Sequence, residues 1–197
     1  LSNSIGRLAV IGVGLIGGSL ARALRRAGRV DEIVGCGRGK ANLDEAVKLG
    51  VIDRYSHDIS EAVRDADVVF LAVPLGAMRG AFDAMRATLP GHALVTDGGS
   101  AKGSVVTDCR EAAPELLQRF VPGHPIAGTE NNGVAASFAE LYHNRRVILT
   151  PLPENDPAAV ARVRGLWETC GAEVTVMSVE HHDEVLAATS HLPHMLA

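Results

Sequence analysis

The sequence predicts an α/β fold built on a doubly wound, mostly parallel sheet. Three observations carry that expectation. Short β-branched and apolar runs alternate with helix-length amphipathic segments from residue 7 onward. One run, ADVVFLAV at 66–73, is apolar at nearly every position, as a strand covered on both faces must be. A glycine pattern, G-x-G-x-x-G at 12–17, lies where the first strand ends and the first helix begins.

The elements follow in chain order. Residues 7–13 form a strand, and 15–27 a helix with Leu15, Leu20, Ala23 and Leu24 near one face. Residues 32–36 read as a strand, 41–49 as a helix, and 66–73 as a buried strand closed by Pro74 and Gly76. A helix over 77–88, a strand over 93–96 and a helix over 102–117 complete a βαβ series whose strands must pair in parallel. Beyond it, 119–122, 146–149 and 173–177 are strand-like and are expected to extend the sheet, with a helix over 157–170. From Val179 the pattern is helical again, with Val185, Leu186 and Leu192 as apolar positions and no C-cap signal before Ala197. The expected division is a dinucleotide-binding domain over 1–178 and the truncated start of a C-terminal helical domain over 179–197.

Composition narrows the function classes. A chain of 197 residues with 47% hydrophobic content can bury one sizeable core, which argues against disorder. The net charge of −4 comes from scattered signs with no basic stripe, so nucleic acid is a poor partner. No apolar run reaches the roughly 18 residues that cross a bilayer, and the first residues carry no signal-peptide pattern. The expectation is a cytoplasmic protein with no membrane partner. Cys36, Cys109 and Cys170 are too far apart for a metal site or a disulfide framework and read as reduced thiols.

The glycine loop gives the fold its Rossmann character. Gly12 permits the tight turn, Gly14 lets backbone approach a pyrophosphate, and Gly17 lets helix and strand pack closely. Leu15 and Ile16 stand in the first helical turn, where free N–H groups and the helix dipole attract an anion. Val73 and Pro74, at the end of a neighbouring strand, join Gly12, Gly14 and Gly17 as cofactor-binding candidates. Sites selective for NAD usually hold an acid about 20 residues further on, for the ribose 2′-hydroxyl. Here that segment is GCGRGK at 35–40. Arg38, with Lys40 beside it, suits the 2′-phosphate of NADP, so NADP or dual use is favoured over strict NAD.

Two polar segments, 96–103 (TDGGSAKG) and 123–133 (GHPIAGTENNG), follow predicted strand ends and so border the ligand crevice. A dehydrogenase needs a group to take the hydroxyl proton as hydride leaves, and histidine titrates in the right range. His124 is the leading catalytic candidate, with Ser100 to orient it. Thr129 and Glu130 are candidates for contact with substrate or a domain partner, and Lys102 for a helix start. In a third cluster, 189–194 (TSHLPH), either His191 or His194 is placed to enter the crevice. His181, His182, Asp183 and Glu184 are neighbours on a helix and point in different directions, so they read as surface charge and not as a metal site.

Four segments together, GVGLIGGS (12–19), DGGSAKG (97–103), GHPIAGTENNG (123–133) and EVLAATSHLPH (184–194), resemble the prephenate and arogenate (cyclohexadienyl) dehydrogenases of tyrosine biosynthesis over nearly the whole chain. The resemblance implies NAD(P)-dependent oxidative decarboxylation, giving 4-hydroxyphenylpyruvate from prephenate or tyrosine from arogenate. It implies that His124 bonds the ring hydroxyl and helps remove its proton. Ser100 would position His124 and the nicotinamide, His194 would line the substrate pocket, and Glu130 would help gate it. It also implies a homodimer formed through a helical domain. Gly37 departs from the acidic residue many relatives carry there. Competing readings are another Rossmann oxidoreductase of the β-hydroxyacid dehydrogenase or cyclic-imine reductase type, or a non-catalytic NADP-binding module. His124 and Ser100 together argue against them.

Overall fold

The structure, a computed structural model, describes residues 4–195, with side chains described through Ala188. A six-stranded sheet runs in the order β3-β2-β1-β4-β5-β6, where β1 is Ile5–Ile11, β2 Val30–Cys36, β3 Arg54–Ser56, β4 Val68–Leu71, β5 Leu94–Asp97 and β6 Phe120–Val121. Every pair in it is parallel.

The period-2 alternation of each strand divides its side chains between two cores. Leu8, Val10, Val68 and Phe70 face one, whereas Ala9, Ile11, Val69 and Leu71 face the other. Both faces are therefore apolar, which is why 66–73 shows no polar alternation. Helix α1 (Leu15–Arg26), α2 (Lys40–Lys48) and α6 (Pro157–Thr169) cover the first face through Leu20, Leu24, Leu43, Val163 and Trp167. Helix α3 (Ile59–Ala62), α4 (Met78–Met85) and α5 (Lys102–Ala112) cover the second through Ala62, Phe82, Met85 and Cys109. All three cysteines are free and buried.

The sequence reading needs four corrections here. β3 and α3 carry too few apolar residues to register as a period; α3 is set by Asp58, whose side chain accepts the Ser60 amide at 2.8 Å. The helix expected over 102–117 stops at Ala112, because the residue before Pro114 is driven out of helical geometry. The segment around His124 is a strand, β7 (Gly123–Pro125), and not a loop. Finally, only β6 extends the main sheet. β7 pairs antiparallel with β8 (Arg146–Leu149), which pairs parallel with β9 (Glu173–Val176), as a separate three-stranded sheet. The ladder with β5 ends at Gly123, whose N–H donates to the Asp97 side chain at 3.0 Å, while on the opposite side the Pro122 carbonyl accepts from Thr150 N at 3.0 Å.

The last helix, α7 (Val179–Met195), packs against the start of α5. Strand order reverses between β1 and β4, and ligands of such sheets sit outside the carboxyl ends of the strands at that point.

Candidate active site

At the switch point lies a cleft of about 790 Å³, bordered by Gly12, Val13, Gly14, Arg38, Val73 and Pro74 among others. Gly12 has φ +99°, and a Cβ there would strike the Ala72 carbonyl. A Cβ on Gly17 would overlap the Gly12 carbonyl oxygen, so this glycine serves packing. Gly14 differs: a Cβ there meets no atom within 4 Å and projects into open space. No side chain caps the start of α1, so its first-turn amides, including those of Leu15 and Ile16, are left for an anion. These features fit the phosphates of a dinucleotide.

The loop is held by residues that sequence reasoning missed. Asn42 Nδ2 donates to the Val13 carbonyl at 2.6 Å, and its Oδ1 accepts from Val134 N at 3.0 Å. Tyr142 Oη donates to the Ile16 carbonyl at 2.6 Å, and the Tyr142 ring stacks edge-on against Trp167. These partners stand 29 to 126 positions away in sequence, so no local motif announces them. At the far end of the cleft, Arg38 makes no ion pair among the described residues, whereas Lys40 is drawn to Asp44 at 2.7 Å.

A second cavity, of about 610 Å³, is lined by Ser100, His124, Ile126, Asp183 and Leu186 among others. It brings His124 and Ser100 together, as expected for a joint site. The partner of the His124 ring, however, is His182, whose Nε2 lies 2.9 Å from His124 Nδ1. His182 has no exposed surface, which overturns its reading as surface charge. Helix α7 docks with this residue inward, while its neighbours His181 and Glu184 are exposed. His182 Nδ1 in turn lies 2.7 Å from Asp183 Oδ1.

Asp183 also caps α5. Its two oxygens accept the Lys102 amide at 2.9 Å and the Gly103 amide at 2.8 Å. Burial raises the Asp183 pKa, but the Lys102 amide, His182 and the Gly103 amide outweigh it, leaving the carboxyl below its ordinary value. Lys102 does begin a helix, yet its side chain is fully buried and ion-paired with Asp97. Its ammonium also donates to the Gly123 carbonyl at 2.6 Å, next to His124. Burial pulls the Lys102 pKa down against the opposing pull of Asp97.

The sum of these neighbours sets the state of His124. Burial first, then the Lys102 charge, then His182, push its pKa down to about 4, with Asp183 pulling the other way. The imidazole is therefore neutral at pH 7 and has a lone pair to accept a proton.

Thr129 and Glu130 lie on the exposed stretch after β7, where Thr129 Oγ1 accepts from Asn131 N at 3.2 Å. Neither borders the His124 cavity among the described residues. His191 and His194 fall within α7, but their side chains lie outside the described residues.

Residues 20–176 match the family model for the prephenate dehydrogenase nucleotide-binding domain. The chain is 42% identical to a cyclohexadienyl dehydrogenase of Zymomonas mobilis over 96% of its length, covering 64% of that protein. It superposes with a TM-score of 0.90 and 39% identity on prephenate dehydrogenase from Aquifex aeolicus in complex with hydroxyphenyl propionate and NAD+, covering 98% of this chain and 67% of that one. Arogenate dehydrogenase from Synechocystis gives 0.87 and 31%, with 96% and 66% covered. The chain thus spans about two thirds of the length of these proteins. The glycine cradle and the cavity around His124 accordingly belong to a member of the prephenate dehydrogenase family, whose nucleotide-binding domain residues 20–176 match.

Proposed function

We propose that the protein carries out NAD(P)-dependent oxidative decarboxylation of a small cyclohexadienyl acid, prephenate or arogenate. The observation that carries this reading is a neutral histidine, His124, in a cavity at the carboxyl edge of the sheet beside the glycine cradle. The chemistry a bound nicotinamide supplies is acceptance of hydride from the ring carbon that bears the hydroxyl. His124 takes the hydroxyl proton as that carbon becomes a carbonyl. Carbon dioxide then leaves the quaternary carbon, the ring becomes aromatic, and His124 returns its proton to the ring oxygen. No proton is consumed or released overall. The similarity to a protein crystallised with hydroxyphenyl propionate and NAD+ supports a ligand of this shape.

Ser100, which borders the same cavity, positions His124 and the nicotinamide. The resemblance assigns His194 to the substrate pocket; Thr129 and Glu130, on the exposed stretch after β7, belong to its entrance and not to the His124 cavity. Arg38 pairs with a 2′-phosphate, which favours NADP or dual use over strict NAD. Helix α7 begins a helical domain, from 179 onward, through which two copies form a homodimer. The protein works in the cytoplasm; among the described residues no helix is long and apolar enough to cross a membrane.

The test follows reduced-nucleotide absorbance in the protein carrying this chain, with prephenate or arogenate and NAD or NADP in all four combinations. Turnover with one pair or more supports the reading. Nucleotide binding without turnover in any pair would sink it in favour of a nucleotide-binding module.

A further inference from the structure

The chain His124, His182, Asp183 has a directional consequence. Asp183 is held ionised by the amides of Lys102 and Gly103, so it can only accept from the ring nitrogen facing it. With one proton on the His182 ring, that proton sits on Nδ1. His182 Nε2 is then a bare lone pair and must accept a hydrogen bond. The group it faces at 2.9 Å is His124 Nδ1, which must therefore carry the N–H. His124 Nε2 is left unprotonated, which is the form a base needs.

The relay also provides somewhere to put charge. When His124 Nε2 takes a proton, the ring becomes an imidazolium beside the buried ammonium of Lys102, which opposes it. Moving the Nδ1 proton across the 2.9 Å bond to His182 Nε2 places the positive charge next to the Asp183 carboxylate instead. One N–H bond breaks, one forms, and His124 becomes neutral again. His182 is sealed from solvent, and the return transfer restores the starting tautomers. The charged groups facing this relay are Lys102 from α5, its ion-pair partner Asp97 from β5, and Asp183 from α7.

We propose that His182 and Asp183 are positioning residues that fix the tautomer of His124 and hold its proton between hydride loss and aromatisation. This rests on the dehydrogenase reading for the second role only; the tautomer assignment stands on geometry alone.

Imidazole nitrogen NMR of the intact protein near neutral pH reads the tautomers directly. The expected result is Nδ1–H on both His124 and His182, with both Nε2 atoms bare. An Nε2–H tautomer at His124 would overturn the inference whether or not the protein turns over. In kinetics, His182→Gln replaces the ring by an amide that can bond His124 but cannot carry the proton. It should lower kcat about 10- to 100-fold, less than loss of the base itself, whose contribution is typically ~10²–10⁴-fold. KM and nucleotide affinity should stay within about twofold, and the acid limb of the pH profile should move. An unchanged kcat and limb in a folded variant would overturn the relay. Should His182→Gln fail to fold, the wild-type spectrum still decides the tautomer. Expected tautomers in a protein without turnover would reject proton holding and leave positioning standing.

Discussion

Asp97 and Lys102 form an ion pair in which neither side chain has any exposed surface, five residues apart across the turn from β5 to α5. The pair is tied to strand β7, which carries His124, at two points: Asp97 Oδ1 accepts from Gly123 N at 3.0 Å, and Lys102 Nζ donates to the Gly123 carbonyl. Replacing Lys102 by Met would strand a buried carboxylate. Losing one partner of such a pair costs about 3–5 kcal/mol. Chemical denaturation should register that loss, and the His124 pKa should rise, because a cation that depresses it is gone.

His124→Asn should remove turnover by about 10²–10⁴-fold. The dissociation constant for nucleotide should stay nearly unchanged, since His124 does not border the glycine cleft. Equilibrium binding beside steady-state kinetics separates the two. Equal losses in both would contradict the division of roles.

Gly14→Val and Gly17→Ala should fail in different ways. At Gly14 the added side chain meets no protein atom, so the melting temperature should hold while nucleotide affinity collapses, because the new atoms occupy the space a pyrophosphate needs. At Gly17 the added methyl overlaps the Gly12 carbonyl and also crowds Val10, so stability should fall by about 1–3 kcal/mol. Thermal melts with and without nucleotide distinguish the two.

The activity should be flat between about pH 6 and 8, and kcat/KM should fall only as pH approaches about 4, where His124 gains its proton. An ordinary histidine would put that limb near 6.5. The same shift acts on stability. The unfolded chain protonates this histidine first, so its neutral burial is fully tolerated above about pH 6.5 and destabilises as pH falls toward 4. His124→Gln should flatten that part of the stability curve.

Arg38→Ala should weaken NADP binding about 10- to 100-fold, the value of a charge-assisted contact of about 1.5–3 kcal/mol, and leave NAD nearly untouched. Titration calorimetry with both nucleotides checks it. Equal small changes would mean that Arg38 is a solvated loop cation.

Much of the fold was legible because its rules are local. The apolar run at 66–73 showed a strand covered on both faces, and the glycine spacing at 12–17 showed a turn that only those glycines allow. Short, polar β3 and the four residues of α3 left no period to read. The second sheet was misassigned because a strand's pattern does not name its partner; the ladder of β5 ends where the Gly123 N–H turns to the Asp97 side chain.

The sequence alone determined the doubly wound sheet and the glycine turn, and it singled out His124 and Ser100, which the fold brings to one cavity, since period, glycine geometry and residue chemistry need only neighbours along the chain. The tertiary structure decided what surrounds His124. His182 reaches it from 58 positions away, and Asp183 caps a helix that starts 81 positions earlier. Burial, tautomer and pKa are fields summed over groups brought together in space, so a run of letters such as HHDE cannot show whether it faces water or the active site.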